Sequence, residues 1–131
     1  MKAVILAGGF GTRIREVSQE IPKPMISIGS DPIIVHIMKH YIKYNVQEFI
    51  ICLGYKGHYI KDYFCNLNTY SNDFTIDLVS GKIVLSNKKN TLKCKITFVD
   101  TGIESMTGSR VSKIRNYIGE EEDFCLIRME N

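Results

Sequence analysis

The 131-residue chain reads as one α/β domain, a mainly parallel sheet sandwiched by helices. Three observations predict it. Strand-like runs rich in Ile, Val and Phe alternate with helical patterns along the chain. The runs KAVILA (2–7), EFIICL (48–53) and DFCLI (123–127) are nearly continuously apolar, as expected of strands covered on both faces. The composition, 44% hydrophobic and 24% charged, is that of a globular domain with enough apolar material for one core.

The first strand is expected over 2–7. A long connection follows, and then a helix for which Asp31 is the expected cap and Pro32 the first turn. Ile33, Ile34, Ile37, Met38, Tyr41 and Ile42 make one broad apolar stripe, and Asn45 is the expected stop. The second strand is 48–53. A shorter helix is expected from about Lys56 to Phe64, with Tyr59, Ile60, Tyr63 and Phe64 inward. FTIDLV (74–79), turned by SGK into KIVLS (82–86), reads as a hairpin with one wet face. KITFVD (95–100) is another strand. A third helix is expected from about Gly108 to Tyr117, with Val111, Ile114, Tyr117 and Ile118 inward, and the acidic run 120–123 is a solvated turn before the last strand.

Net charge is +3, with basic residues scattered rather than gathered on one face, which argues against a nucleic-acid partner. The longest apolar runs, such as FIICL, are too short to cross a bilayer, and the N-terminus opens directly on a strand rather than a signal peptide. Cys52, Cys65, Cys94 and Cys125 form no zinc or CxxC spacing, and Cys52 and Cys125 sit in apolar runs as small hydrophobes. All four are expected to be reduced, and the compartment cytoplasmic.

In an open α/β sheet, ligands bind outside the carboxyl ends of the strands, and the connection after the first strand stands at that address. Gly8, Gly9 and Gly11 let backbone approach a ligand closely, and successive N–H groups there can form a nest for an anion. Thr12 adds a hydroxyl and Arg13 a fork of donors that matches phosphate oxygens. Two familiar phosphate loops are excluded: the third glycine of G-x-G-x-x-G would fall on Ile14, and the Walker Gly-Lys-Ser/Thr is absent. A bare glycine-rich turn is the plain alternative, but a structureless connection longer than about 12–15 residues is more often functional. It ends in Pro22-Lys23-Pro24, where two prolines favour an extended backbone that can hold the Lys23 ammonium at a set place.

LAGGFGTR (6–13), followed after eight residues by PKPM (22–25), resembles the signature of sugar-1-phosphate nucleotidyltransferases, which have a Rossmann-like fold. MKAVILAGG, HIMKHY, FIICLGYKGHYIKDYF and VDTGIESMTGSR are similar to the glucose-1-phosphate cytidylyltransferases within that family. The likeness runs from Met1 to about Leu126 and covers about the first half of a typical member, so 1–131 is expected to be an N-terminal nucleotide-binding portion. The resemblance implies attack by glucose 1-phosphate on the α-phosphorus of CTP, giving CDP-glucose and pyrophosphate, with Mg²⁺ as cofactor. By the same resemblance Leu6, Ala7, Gly8, Gly9, Phe10, Gly11, Thr12 and Arg13 line the nucleotide. Arg13 would steady the departing pyrophosphate, Lys23 would bridge the α-phosphate and the sugar phosphate, and Ser105 and Arg110 would contact substrate. The alternatives are a catalytically inactive nucleotide-binding remnant, or a relative that uses UTP or dTTP.

The chain departs from the family pattern after its last strand, where members read close to Thr-Tyr-Gly-Asp-Gly and the aspartate holds Mg²⁺. Here the chain reads Ile127-Arg128-Met129-Glu130-Asn131. Glu130 stands at the aspartate's place but is one methylene longer, which suits the tight octahedral geometry of Mg²⁺ poorly. Arg-Met-Glu is what the family codons give one base out of frame, so the missing half is expected beyond codon 131 in another frame. The edge of the last strand is then expected to need a covering chain, for which a homo-oligomer is one solution.

Other features are read as structural. His36 and His40 have metal-pair spacing but lack a third ligand. Tyr55, Tyr59, Tyr63, Phe64 and Tyr70 could suggest base stacking, but the helical spacing of 59, 60, 63 and 64 favours core packing. Lys88-Lys89 is expected in a solvated turn, and Asp100 ends a strand near the expected pocket, where a turn-forming role explains it as well.

Overall fold

The computed structural model of the chain describes residues 1–8, 21–86, 92–101, 114–119 and 123–129. The sheet is built outward from β1 (Lys2–Leu6), whose Ala3, Val4, Ile5 and Leu6 are all fully buried. β4 (Glu48–Leu53) lies beside it in parallel, with Val4 opposite Ile50 and Leu6 opposite Cys52. β7 (Lys95–Asp100) pairs with the far side of β4, and β8 (Phe124–Arg128) with the free side of β1, both parallel. The order β7-β4-β1-β8 carries the chain outward on one side of β1 and then back to the other. The expected parallel α/β architecture is what forms, with the last strand beside the first.

Parallel register puts Ala3, Ile5, Phe49 and Ile51 on one face. That face packs on α1 (Ile33–Ile42), through Ile34, Val35 and Met38, and on α2 (Gly57–Ser71), through Ile60. Val4, Leu6, Ile50 and Cys52 point the other way, against Ile114 and Ile118 of the helical segment 114–118, α3. Helices on both faces explain why β1 and β4 had to be apolar without alternation.

Several elements differ from expectation, each for a local reason. Asp31 does not cap α1. It lies with Pro32 in β3 (Asp31–Pro32), antiparallel to β2 (Ser27–Ile28), and its carboxylate takes the Lys39 ammonium at 2.7 Å. Pro32 takes the cap position itself, without a side-chain bond to the helix. The stop at Asn45 holds: its φ of 67° is left-handed, and Val46 N–H donates to the Tyr41 carbonyl at 3.2 Å. α2 runs a full two turns past the expected end. Beyond Phe64 the apolar stripe continues only through half-buried Leu67, so little marks that part; Tyr70 is 81% exposed and Tyr59 also faces outward. Tyr63 and Phe64 do pack against the core as expected.

β5 (Phe74–Ile76) and β6 (Ile83–Leu85) form the expected antiparallel hairpin, but shorter, because the turn begins at Asp77. Its single wet face is not borne out: residues of both faces are largely exposed, Ile83 at 48% and Val84 at 54%. In α3, Ile114 and Ile118 point inward, but Tyr117 does not; it is 49% exposed, and its carbonyl accepts a bond from Lys2 Nζ. The part of that helix expected over 108–113, with Val111, lies outside the described residues, as do Lys88 and Lys89. None of the four cysteines is in a disulfide, and Cys52 is buried in β4.

Candidate nucleotide site

Strand order reverses between β1 and β8, and open α/β sheets bind ligands in the crevice outside the carboxyl ends at such a point. The floor of that end is held by bonds that continue the ladder past the strands. Ala7 N–H donates to the Cys52 carbonyl at 2.9 Å, Met129 N–H to the Leu6 carbonyl at 2.9 Å and Thr101 N–H to the Leu53 carbonyl at 3.0 Å. The Thr101 hydroxyl donates to the same Leu53 oxygen at 3.2 Å, from a fully buried position. Leu6, Ala7 and Gly8 are therefore buried backbone at the switch point, where the expected anion nest begins. Gly9, Phe10, Gly11, Thr12, Arg13, Ser105, Arg110 and Glu130 lie outside the described residues.

Lys23 does not sit in extended chain. Pro22 is extended (φ −69°, ψ 150°), but Lys23–Met25 closes a 3-10 turn in which Ile26 N–H donates to the Lys23 carbonyl at 3.1 Å. Pro22 and Pro24 are buried and Lys23 is half-buried between them. Pro24 fits the first turn of such a helix, where its missing N–H costs nothing. Met25 joins the apolar cluster that holds Ala7, so the turn is anchored on the α1 and α2 side of the sheet. The two prolines thus fix Lys23 through a turn clamped by buried rings.

Asp100 stands at the end of β7. Its carboxylate meets Lys61 of α2 at 3.2 Å, an exposed pair of small energetic weight. Sequence reasoning missed Lys56, which follows β4 in a left-handed conformation (φ 51°) and lies 5.5 Å and 5.8 Å from the Tyr55 and Tyr59 ring centres. Its place directly after the second strand's carboxyl end was the available signal. His36 is a structural tie: its Nε2 lies 2.7 Å from the Ile28 carbonyl, while His40 packs edge-on against Tyr41 and Tyr44. Among the described residues no three His, Cys, Asp or Glu side chains gather as a metal site.

Titration shifts occur outside this crevice. The Tyr41 phenol is raised, first by its hydrogen bond with Cys125 of β8, then by burial. Tyr63 is raised by burial and by Asp31, with Lys39 opposing. Burial raises the Cys94 thiol.

A parallel sheet whose strand order reverses beside its first strand, with helices on both faces, defines an open α/β domain of the doubly wound kind. The Nucleotidyl transferase family matches residues 2–124, and the chain belongs to it. It is 47% identical over 121 residues to the probable glucose-1-phosphate cytidylyltransferase of Bacillus subtilis, covering 92% of this chain and 47% of that protein. It is 44% identical over 124 residues to the glucose-1-phosphate cytidylyltransferase of Salmonella typhimurium, covering 95% and 48%. The chain thus spans about half the length of these relatives. Among solved structures, HddC from Yersinia pseudotuberculosis complexed with GMP-PN superposes with a TM-score of 0.68 at 29% identity, over 97% of this chain and 46% of that one. The UTP-bound UGPase from Acinetobacter baumannii, at 22% identity and a TM-score of 0.69 over 95% of this chain and 44% of that one, shares the fold.

Proposed function

We propose that this chain is the nucleotide-binding portion of a glucose-1-phosphate cytidylyltransferase. The reaction moves CMP from CTP to α-D-glucose 1-phosphate. A sugar-phosphate oxygen attacks the α-phosphorus, the bond to the bridging oxygen of the leaving group breaks, and pyrophosphate departs with the electron pair. Such chemistry asks a protein chiefly for alignment and for compensation of gathering negative charge. The observation that carries the reading is the buried Leu6-Ala7-Gly8 backbone delivered to the switch point by the central strand. The similarity to two cytidylyltransferases over nearly all of the chain supports the choice of base and sugar.

In this reading Gly8 to Arg13 cradles the triphosphate, Arg13 steadies pyrophosphate, Lys23 bridges the two reacting phosphates, and Ser105 and Arg110 contact substrate. The resemblance also implies Mg²⁺. The described residues do not by themselves fit it. Asp100, the described carboxylate at the end of β7, is engaged with Lys61, whereas Mg²⁺ needs close octahedral oxygen donors.

The test is pyrophosphate release from glucose 1-phosphate with CTP, UTP or dTTP in separate reactions. Release with CTP, lowered by about 10²–10³ in Lys23→Ala, is expected for a lost charge-stabilising group. Release with UTP or dTTP in its place would reassign the base. Folded protein that binds CTP without turnover would leave nucleotide binding as the chain's activity.

A further inference from the structure

The β5–β6 hairpin is a finished element with nothing of its own chain to rest on among the described residues. Its turn is fully tied. Asp77 N–H donates to the Lys82 carbonyl at 2.9 Å, Gly81 N–H to the Asp77 carbonyl at 2.7 Å, and Val79 N–H to Asp77 Oδ1 at 2.9 Å. Yet it holds Leu78 and Val79 in solvent, 85% and 99% exposed, and no residue of the hairpin belongs to either core cluster. A two-stranded ribbon alone is marginal in water and gains from further strands.

The ladder shows which backbone groups are free to accept a strand. Bonds across the ribbon fall on the pairs Asp77–Lys82 and Asp73–Ser86. By antiparallel alternation Val84 also points inward, and the N–H and C=O of Ile83 and Leu85 point out from the β6 edge. That edge, Ile83-Val84-Leu85, carries none of the charges or prolines by which proteins normally block edge pairing.

We propose that the β6 edge pairs antiparallel with the β6 edge of a second copy, about a two-fold axis at Val84, to make a four-stranded sheet. Charge selects this edge over that of β5. Two-fold pairing along β5 would centre on Thr75 and set Asp73 against Asp77 of the other copy, twice, in close non-hydrogen-bonded pairs. Along β6 the same operation sets Lys82 against Ser86, without like charges, while Ile83 and Leu85 exchange backbone bonds. The contact is self-complementary, as a closed dimer requires.

The test uses the whole chain. Sedimentation over a concentration series should give a dimer, and Val84→Cys should lock it as a disulfide under mild oxidation, since opposed residues at this register stand about 4.5 Å apart at Cα. Thr75→Cys should crosslink no more than the unaltered chain with its native cysteines. Ile83→Pro removes an outward donor while sparing the bonds to β5, and should shift the population to monomer with an unchanged far-UV spectrum. A monomer at every concentration overturns the proposal and leaves the hairpin for another segment or protein to cover. So does a dimer locked through Thr75→Cys, or one that Val84→Cys does not lock. If Ile83→Pro fails to fold, the cysteine pair alone decides.

Discussion

At the scale of single residues, position often outweighs residue type. Asp31, expected as a helix cap, is sent by the local backbone to Lys39 instead, and Lys23, expected in extended chain, is folded into a tight turn. Gly57 shows the same point sterically. It opens α2 hard against β4, and a Cβ there would meet the Leu53 Cβ at 2.9 Å. A Cβ cannot swing aside as the tip of a flexible side chain can. Gly57→Ala is therefore expected to cost about 1–3 kcal/mol of stability, the usual range for overpacking, read as a lowered urea midpoint. Leu53→Ala should not rescue it, because the obstructing atom remains; recovery in the double variant would show that the rest of the side chain was at fault. Thr101→Val is a smaller change. It deletes the hydroxyl bond to the Leu53 carbonyl while the backbone bond to the same oxygen stays, and about 1 kcal/mol should be lost.

At the scale of elements, α3 gives the sharpest test of what covers the second face of the sheet. Ile114 and Ile118 are buried against Val4, Leu6, Ile50 and Cys52, whereas Tyr117 faces solvent. Ile114→Ala should destabilise by about 2–5 kcal/mol and Tyr117→Ala by no more than about 0.5 kcal/mol, as a denaturation series would show. Equal losses would restore the inward Tyr117 that spacing alone predicts. The hairpin turn has its own signature in pH. Backbone N–H groups of Val79 and Ser80 hold the Asp77 carboxyl below its ordinary 3.8. A depressed folded value means the tie is complete above 3.8 and fades as pH falls through the lower folded value. The Asp77 carboxyl and the Val79 amide should titrate together in NMR spectra below that point, and Asp77→Asn should abolish the Val79 titration. These elements also show what a sequence makes legible. β4 and β7 were readable to the residue, because β-branched and apolar runs end abruptly at polar neighbours. The second half of α2 was not, since beyond Phe64 only Leu67 continues the stripe of Ile60, Tyr63 and Phe64. The β2–β3 ribbon passed unnoticed although Gly29, at φ 67°, marks its turn. Of the site, the address of Leu6, Ala7 and Gly8 was legible from topology. The fold of Pro22–Met25 was not, because two prolines are compatible with extended chain and with a first helical turn alike.

At the scale of the whole molecule, the proposed nucleotide binding can be tested apart from turnover. The end of β1 is tied to the β8 side by the Met129-to-Leu6 bond and to β4 by the Ala7-to-Cys52 bond, so a ligand seated there would bridge strands from both halves of the sheet. A ligand that binds the folded chain alone stabilises it by mass action, by about 2.7 kcal/mol at a hundred times its dissociation constant. For a domain of this size that corresponds to a rise in Tm of roughly 10 °C. CTP added in increasing amounts should therefore raise the melting temperature progressively, and Lys23→Ala should need more CTP for the same rise. The comparison with UTP and dTTP reads the base preference without requiring catalysis, and glucose 1-phosphate alone reads whether the sugar phosphate has a site in this chain. A melting temperature indifferent to all three nucleotides, in a chain that unfolds cooperatively, would remove the nucleotide from the switch point. The glycine-led connection after β1 would then be only the turn that its composition, taken alone, also allows.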